Sequence, residues 1–381
     1  MQRLVKALEE KGVDVLLSTH TADIRWLTGF VNVFDEEQAH LALLIRENAH
    51  EKASLFTDMR YSESLRLLDK QGYWHVLDER RPRFPYVTEV LVESLGAQSD
   101  LRSGAKSLSK PLAIGIESDL RLDWYRALSK ALDGLEGFTY EFLELPDLIS
   151  GLRAKKTSEE VEFLKETQAI TDAAFTHILD YLRPGLTERE VATELEFFMR
   201  RAGAQGTSFP TIVASGPNSA VPHSVPGSRV LQHGDTVLMD FGARLNDYCS
   251  DMTRTVFLGK ADEQQQAMYA ATRAAQEAVF AALKPGAQGL EIQKIAEDTV
   301  AEFGFEGRLI HSVGHGVGIE IHELPVLARE RTEQLEAGNV VTAEPGVYLE
   351  GVGGVRIENF GVITEDGFES FTNSPTDLII L

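Results

Sequence analysis

Two pairs of acidic residues occupy mirrored positions in apolar stretches of the sequence. Asp240 and Asp251 stand at equal distances from a turn expected at Leu245-Asn246, so in a simple hairpin they face each other across neighbouring strands. Glu344 and Glu358 are mirrored in the same way about a glycine-rich turn. Directly opposed carboxylates repel each other by about 0.2–1 kcal/mol unless a positive group separates them. The spacing therefore predicts that each ribbon holds a cation.

A glycine-rich segment between the two ribbons, HSVGHGVGIEIHE, carries His311, His315 and His322. Four carboxylates and one neutral imidazole would bring a charge of −4, which two divalent ions would cancel. Oxygen-rich ligand sets with one histidine suit manganese, cobalt or zinc, whereas all-oxygen sets suit magnesium or calcium. Two such ions about 3.5–4 Å apart activate a water and polarise a carbonyl group. These residues therefore predict a hydrolase with a two-metal site.

The alternative interpretation treats each of these residues separately. A single aspartate in a strand is usually a turn or edge residue, and a single histidine usually packs in the core or faces solvent. The neighbours of the four carboxylates are apolar, however, which is typical of buried positions; they are Met239, Phe241, Val341, Val355 and Ile357. Because no structural role requires four buried carboxylates without partners, the metal site is the better prediction.

The chain before these ribbons predicts a small mixed α/β domain over residues 1–150. An amphipathic helix opens it, with Leu4 and Leu8 on one face. Strand-like runs follow at 39–45, 53–58, 74–79 and 112–118.

Residues 151–381 predict a second domain, built from helices and antiparallel ribbons. Thr157 with Glu160, and Thr187 with Glu190, match the capping-box pattern that marks a helix start. The first of these helices should end at Pro184-Gly185, and its predicted apolar face is Phe163, Ile170, Ala174, Ile178 and Leu182. Further helices are expected at 263–283 and 289–304, and strands at 236–241, 248–258, 339–349 and 354–363.

The composition excludes several classes of partner. A net charge of −22 over 381 residues opposes binding to nucleic acid phosphates and to anionic membranes. No apolar run approaches the ~20 residues that a membrane span requires, and the N-terminus lacks the pattern of a signal peptide. Cys249 is the single cysteine, which excludes an internal disulfide. We therefore expect a cytoplasmic protein.

The motifs of the second domain resemble, in order and spacing, those of the pita-bread metallopeptidases. This family includes prolidase, aminopeptidase P, methionine aminopeptidase and the non-metal creatinase. The matching segments are MDFGA at 239–243, SDMTRT at 250–255, HSVGHGVGIEIHE at 311–323, AEPGVY at 343–348 and GVRIEN at 354–359. The resemblance implies a pita-bread catalytic domain.

The first domain resembles the creatinase/prolidase N-terminal domain through IRWLTGF at 24–30, TDMRY at 57–61 and IGIES at 114–118. Methionine aminopeptidases typically lack this domain, and creatinase lacks the metal-binding carboxylates. The resemblance therefore favours the Xaa-Pro peptidases and an α/β fold (α+β) in two domains.

By this resemblance, the metal ligands are Asp240, Asp251, His315, Glu344 and Glu358. Glu344 would also carry a proton between the attacking water and the leaving nitrogen. His223, in NSAVPHSVP, and His322 would bind the scissile carbonyl or stabilise the oxyanion. Arg356 matches an arginine that braces the site. His311 would line the proline pocket or merely pack.

The implied activity is hydrolysis of the bond before proline in short peptides, with two divalent ions (Mn, Co or Zn). A dipeptidase (prolidase) is favoured, and an aminopeptidase P acting on longer peptides is the alternative. A dipeptidase needs a cation for the proline carboxylate, for which Arg329 and Arg331 are candidates. A metal-free binding protein is a third possibility, which the intact ligand set disfavours.

One arginine-rich segment lies outside these motifs. ERRPRFPY at 79–86 combines Arg80, Arg81 and Arg83 with prolines and aromatic residues. Prolines predict an irregular, stiff loop, and this composition is enriched at protein interfaces. We expect either the contact of a homodimer here or an ordinary solvated loop.

Overall fold

The computed structural model describes residues 2–30, 40–46, 53–68, 74–77, 82–96, 110–135 and 138–381. The chain forms two compact units, Met1–Leu152 and Arg153–Leu381. Each unit combines helices with sheets, which confirms the predicted fold class. Of the helices in the described ranges, none is both long and apolar enough to cross a lipid bilayer.

The first unit contains a mixed sheet. Its described strands are β1 (Val15–Ser18), β2 (Leu41–Ile45), β3 (Ser54–Asp58), β4 (Trp74–Leu77), β5 (Leu112–Ile116) and β6 (Tyr140–Glu144), and their order in the sheet is β4-β3-β2-β1-β5-β6. The strands β1, β2 and β5 are buried along their whole length. Continuous apolar runs such as LALLI are typical of strands that are covered on both faces.

Helices pack against this sheet. They are α1 (Gln2–Glu10), α2 (Thr21–Thr28), α3 (Ser62–Leu68), α4 (Arg83–Gly96), α5 (Leu122–Asp133) and α6 (Leu148–Ala154), of which α6 crosses into the second unit. Leu4 and Leu8 of α1 are fully buried, as the amphipathic pattern predicted.

The segment predicted as a loop at 79–86 is helical from Arg83 onwards, where α4 begins. Pro85 falls in the first turn of α4, where its missing N–H costs no hydrogen bond. The guanidinium of Arg83 lies 4.3 Å from the ring centroid of Trp124, which is a cation–π contact. The loop prediction was therefore wrong for this part, whereas Arg80 and Arg81 lie outside the described residues. The dimer contact stays a prediction.

The second unit begins with two capped helices, α7 (Ser158–Tyr181) and α8 (Glu188–Arg201). Both predicted capping boxes are present, with Thr157 and Thr187 as the N-caps. In α7 the buried apolar side chains are Leu164, Ala174, Phe175 and Ile178, whereas Phe163 and Ile170 are only partly buried. The two later helices are α9 (Glu263–Ala282) and α10 (Gly289–Glu302).

Strands of this unit form four sheets. They are β7 (Gly206–Thr207), β8 (Ile212–Ser215), β9 (Thr236–Phe241), β10 (Ala243–Leu245), β11 (Tyr248–Cys249), β12 (Met252–Phe257), β13 (Gly314–Gly316), β14 (Glu323–Leu327), β15 (Val340–Ala343), β16 (Gly346–Leu349), β17 (Gly353–Arg356), β18 (Asn359–Ile363), β19 (Phe368–Ser370) and β20 (Ile379–Ile380). The sheet orders are β11-β10-β7, β20-β12-β9-β8, β14-β13-β15-β18-β19 and β16-β17.

The first ribbon, β9 to β12, differs from the predicted register by one residue in its turn. The turn is Asn246-Asp247, with φ of 52° and 65°, as a two-residue hairpin of type I′ requires. Asp240 therefore lies opposite Thr253 and not opposite Asp251. Asp251 lies in the interruption between β11 and β12. A side chain at Gly242 would meet the carbonyl oxygen of Ser250 at 1.9 Å, so this interruption needs glycine.

The second ribbon has the register that the mirrored spacing predicted. Ala343 pairs with Asn359 in β15 and β18, and Gly346 pairs with Arg356 in β16 and β17. The same count places Glu344 opposite Glu358, in the break between the two ladders.

Cys249 is fully buried in β11, with its Sγ 3.6 Å from the carbonyl oxygen of Ile319. Burial raises the pKa of this thiol. The side chain is therefore an unreactive part of the core.

Candidate metal centre

All nine residues predicted for the site line one cavity of about 580 Å³ in the second unit. They are Asp240, Asp251, His315, Glu344 and Glu358 together with His223, His311, His322 and Arg356. Phe209, Pro210, Ile212, Ile321 and Val326 supply much of the apolar wall. The cavity therefore combines a cluster of carboxylates with an apolar surface.

The imidazole of His315 lies among the carboxylates. Its Nε2 is 3.5 Å from Oδ2 of Asp251 and 3.3 Å from Oε1 of Glu344. Ligand atoms of Asp251, His315 and Glu358 lie within 4.8 Å of one another. Such distances allow a single ion to be shared between these three side chains.

A β-bulge directs His315 into the cluster. The register of β13 against β14 shifts between His315 and Gly316, and bulges commonly redirect a side chain beside an active site. A Cβ atom at Gly316 would lie 2.2 Å from the carbonyl oxygen of Leu324, so glycine is needed at this close approach.

The protonation state of His315 suits a metal ligand. Its Nδ1 is 3.0 Å from the carbonyl oxygen of Gly316. Because a carbonyl only accepts, Nδ1 carries the proton and Nε2 keeps its lone pair facing Asp251 and Glu344. Burial lowers the pKa of this imidazole, which favours the neutral form.

The carboxylates are held at high electrostatic cost without a cation. Burial, followed by the charges of the neighbouring carboxylates, raises the pKa of Asp251 and of Glu358 well above their ordinary values. Burial also raises the pKa of Glu344. Oδ1 of Asp240 and Oε1 of Glu358 are buried and have no hydrogen-bond partner among the described residues. Unpaired buried carboxylate oxygens fit divalent metal ions, which need such ligands.

Hydroxyl and guanidinium groups orient the carboxylates from behind. The Thr253 hydroxyl donates to Oε2 of Glu358 at 2.7 Å and accepts from Nε of Arg356 at 3.0 Å. Arg356 also donates from Nη2 to Oδ2 of Asp240. The Thr342 hydroxyl donates to Glu344 at 3.2 Å. Second-layer bonds of this kind fix the direction of metal ligands.

A chain of hydrogen bonds connects Arg356 to His311. Nη1 of Arg356 donates to the Tyr348 hydroxyl at 2.7 Å, and this hydroxyl lies 2.9 Å from Nε2 of His311. Nδ1 of His311 is 2.8 Å from the carbonyl oxygen of Ser312, so it carries the proton and Nε2 accepts from Tyr348. Burial lowers the pKa of His311, consistent with a neutral ring. Both nitrogens of His311 are therefore engaged within the protein.

A buried ion cluster lies directly beside His322. The Glu323 carboxylate accepts from Lys156 at 2.5 Å and from Arg153 at 2.6 Å, and each of the three side chains is about 2% exposed. Arg153 also pairs with the more exposed Glu320 at 2.9 Å. This cluster anchors the start of β14. The ring of His322 lies 4.4 Å from that of His315, centroid to centroid.

The remaining candidates have different surroundings. His223 lies on an exposed part of the cavity rim. Arg329 donates to Glu297 at 2.8 Å, and neither Arg329 nor Arg331 lines the cavity. Both are exposed and Arg329 already has an acidic partner, so their role as candidates for binding a proline carboxylate stays a prediction.

Sequence reasoning missed the supporting residues Thr253, Thr342, Tyr348, Arg153, Lys156 and Glu323. The two-residue period of a strand could have indicated the two threonines, because residues i and i+2 lie on the same face. Thr253 is two residues after Asp251, and Thr342 is two residues before Glu344. No such pattern connects Arg153 with Glu323, which meet only through the tertiary fold.

The comparisons with known proteins agree with this geometry. Residues 162–365 match the profile of metallopeptidase family M24, and residues 1–155 match that of the creatinase/prolidase N-terminal domain. The chain is 40% identical over 239 residues to a Xaa-Pro dipeptidase from Pyrococcus furiosus, an alignment that covers 63% of this chain and 69% of the relative.

Two solved structures resemble the whole chain. A Xaa-Pro dipeptidase from Bacillus anthracis has a TM-score of 0.86 and 37% identity, and the match covers 100% of this chain and 98% of the other. An X-Pro aminopeptidase from Thermotoga maritima has a TM-score of 0.84 and 30% identity, with coverage of 100% and 99%. The cluster of carboxylates around one histidine and the match over most of the second unit lead to one conclusion: the chain belongs to metallopeptidase family M24 and carries a creatinase/prolidase N-terminal domain.

Proposed function

We propose that this protein is a metal-dependent Xaa-Pro dipeptidase, which hydrolyses the bond between a first residue and a following proline. The observation that carries the proposal is the cavity itself, where the carboxylates and His315 meet an apolar wall. The relatives named Xaa-Pro dipeptidase support it over the whole length of the chain or over its larger part.

In this proposal, the metal ligands are Asp240, Asp251, His315, Glu344 and Glu358. Their charge of −4 with a neutral imidazole matches two divalent cations, and the mixed oxygen and nitrogen set favours Mn, Co or Zn. When bound, such ions supply an activated water and polarise the scissile carbonyl. The unpaired oxygens of Asp240 and Glu358 support this assignment.

Glu344 is the proposed proton carrier. Its Oε1 lies 3.3 Å from Nε2 of His315, so the carboxyl is beside the proposed ligands, where a metal-activated water would bind. The Thr342 hydroxyl holds one of its oxygens. Glu344 would accept a proton from the attacking water and deliver it to the proline nitrogen as the bond breaks.

His223 and His322 are the proposed donors to the carbonyl oxygen. Both line the cavity, and neither is enclosed as His315 is. A donor aimed at the developing oxyanion contributes about 3–4 kcal/mol of transition-state stabilisation in well-studied hydrolases. Arg356 braces Asp240, and His311 supports Tyr348 at the edge of the cavity.

A second candidate is an aminopeptidase P that acts on longer peptides. Among the described residues that line the cavity, Arg356 is the single lysine or arginine. Its guanidinium is already bonded to Asp240 and Tyr348. A dipeptide's terminal carboxylate needs a donor when it is desolvated. No uncommitted guanidinium or ammonium group is available for it among the described residues that line this cavity. This observation favours longer peptides.

The test is hydrolysis of Ala-Pro against Ala-Pro-Ala by chelator-stripped protein, with Mn²⁺, Co²⁺ or Zn²⁺ added back. Cleavage of the dipeptide alone supports the dipeptidase, and a preference for the tripeptide supports the aminopeptidase. Cleavage of neither peptide with any metal overturns both. Asp240→Asn is the matched control, because it removes one ligand charge at constant size and should remove most of the activity.

We further propose a cytoplasmic homodimer that binds two metal ions per chain and no nucleic acid. The acidic charge of −22 supports the exclusion of nucleic acid. Mass in solution and metal content by elemental analysis test these points. A metal-free protein with no gain in stability from manganese would instead indicate a binding protein.

A further inference from the structure

Glu188 is a fully buried carboxylate at the first residue of α8. Its Oε1 accepts from the Ser215 backbone N–H and hydroxyl, both at 2.8 Å, and from the Asn218 side chain at 3.0 Å. Its Oε2 accepts from the Gly227 backbone N–H at 3.1 Å and from Asn218 at 3.3 Å. Both oxygens of one side chain are thus committed to a single loop.

These bonds close the loop at both ends. Ser215 is the last residue of β8, and Gly227 is where the chain returns to α8. The return is also fixed through the backbone, because the Arg189 N–H donates to the Gly227 carbonyl oxygen at 3.1 Å. Between the two ends lie a short 3₁₀ turn, Gly216–Ala220, and the cavity-lining residues 222–226.

His223 depends on this loop for its position. The structure gives its ring no hydrogen-bond partner among the described residues, and the residue is exposed at the cavity rim. The loop touches the second ribbon through Ser219, whose hydroxyl accepts from the Gly354 N–H at 2.8 Å. The Pro222 carbonyl oxygen accepts from Nη1 of Arg356 at 3.5 Å. In the described part of the chain, no side-chain hydrogen bond reaches the stretch from His223 to Pro226, so the loop backbone positions the imidazole.

The ordinary role of an acidic residue at a helix start belongs to a different side chain. Glu190 closes the capping box, accepting from the Thr187 N–H and hydroxyl at 2.7 Å. Glu188 is two residues earlier and points away from its own helix, towards the loop. Stabilisation of the helix N-terminus therefore does not explain its complete burial against loop donors.

We propose that Glu188 is a positioning residue, which closes the 215–227 loop and thereby holds His223 over the substrate carbonyl. The inference rests on the proposed function, in which His223 is a donor to that carbonyl. A displacement of about 1 Å at such a group can lower a rate by up to about 100-fold.

The test compares Glu188→Gln with Glu190→Gln. The substituted side chain at position 188 has a single oxygen, so its NH₂ group must face donors at one end of the loop. We expect the Gly227 end to be released, because fewer donors converge there. Hydrogen exchange of loop amides should accelerate at least about 10-fold in Glu188→Gln and stay within about twofold of wild type in Glu190→Gln.

A double-mutant cycle with His223→Ala identifies the route of the effect. Glu188→Gln should lower kcat/KM about 10-fold in the wild-type background with unchanged metal content, and less than about twofold in the His223→Ala background. An equal loss in both backgrounds overturns the proposal, since Glu188 would then act on the fold in general. Unchanged loop exchange in Glu188→Gln overturns it as well.

Asn218→Ala is the second variant, in case Glu188→Gln does not fold. It removes a donor to the carboxylate without leaving a buried charge unpaired, and should give a smaller change of the same kind in exchange and in the cycle. No change in either contradicts the proposal. The exchange result does not depend on the substrate, so failure to cleave any Xaa-Pro peptide would refute the proposed function separately.

Discussion

Arg356 donates a hydrogen bond from Nη2 to Oδ2 of Asp240, and Oδ1 of that aspartate has no partner among the described residues. One oxygen is therefore held in direction while the other stays available. Burial alone would lower the pKa of Arg356, but its acidic neighbours, among them Asp240, Glu344 and Glu358, together raise it well above its ordinary value. The guanidinium therefore stays charged and fixes the orientation of the Asp240 carboxylate, whose Oδ1 remains available to a metal ion.

Asp251→Asn should have opposite effects on stability in the stripped and metal-loaded states. Without metal, the substitution removes a buried carboxyl group whose pKa is raised by burial and by the charge of Glu358. We expect a higher melting temperature than wild type at about pH 7.5 after chelation. With saturating manganese the order should reverse, because the variant lacks a ligand.

The same pair of proteins should show a defined pH dependence. An acid with a raised folded-state pKa destabilises the fold fully above that raised value. The penalty shrinks as pH falls below the raised value and is gone below the unfolded-state pKa. The advantage of stripped Asp251→Asn should therefore shrink as pH falls from about 7.5 to about 5. Histidines that do not contact Asp251 contribute equally to both proteins and cancel. A gap that widens on acidification would contradict the buried-charge interpretation.

Thr253→Val should weaken metal binding while preserving the shape of β12. The hydroxyl holds Oε2 of Glu358 and accepts from Arg356. Loss of such a second-layer partner typically lowers metal affinity by about 10–100-fold. Titration calorimetry with manganese measures the change. Thr299→Val is a suitable control, since that hydroxyl bonds the Ile295 carbonyl in α10; equal affinity in all three proteins would refute the role of Thr253.

Tyr348→Phe should lower both stability and activity. The change removes an acceptor from Arg356 and a donor from His311, and it leaves buried polar atoms unpaired, at a cost of about 1–3 kcal/mol. Burial raises the pKa of Tyr348 to about 12, so the hydroxyl is protonated throughout the working range. Urea denaturation and peptide hydrolysis measure the two effects.

Tyr269→Phe is the matched control for that experiment. Burial also raises the pKa of Tyr269 to about 12, but its hydroxyl donates to the carbonyl oxygens of Thr376 and Asp377 instead of a cavity residue. It should lose stability and keep kcat/KM. If both variants lose activity equally, the chain from Arg356 to His311 has no specific role.

Glu323→Gln should destabilise the second unit strongly. Removing the shared anion leaves Arg153 and Lys156 buried, which costs about 3–5 kcal/mol when a buried pair is broken. Glu320→Gln affects the more exposed partner of Arg153, whose side chain is 35% exposed, and should cost less than about 1 kcal/mol. Denaturant unfolding checks both values; similar losses would contradict the difference in burial.

The mirrored spacing predicted the register of the second ribbon correctly and that of the first ribbon incorrectly. Mirrored spacing located Glu344 opposite Glu358, because the ladders on both sides keep one register. The same argument failed for Asp240 and Asp251, since the left-handed turn at Asn246-Asp247 moved the register. The residues that can adopt a positive φ determine the position of a turn, and the spacing of the acidic residues does not identify them.

The separation of the partners along the chain explains why the capping boxes were predictable and the ion cluster was not. Thr157 and Glu160 are three residues apart, and their bonds depend only on the helix that they start. Lys156 and Glu323 are separated by 167 residues and meet after the fold has formed. The loop predicted before α4 failed at Arg83 because proline is accommodated in a first helical turn as readily as in a loop.

The single buried thiol gives this protein an internal reporter. Cys249 lies in β11, two residues before Asp251, and burial both shields it and raises its pKa. A thiol reagent in solution should therefore modify only those molecules in which the strand beside the carboxylates has opened. The rate of modification, with and without manganese, would measure the frequency of such openings without any engineered residue.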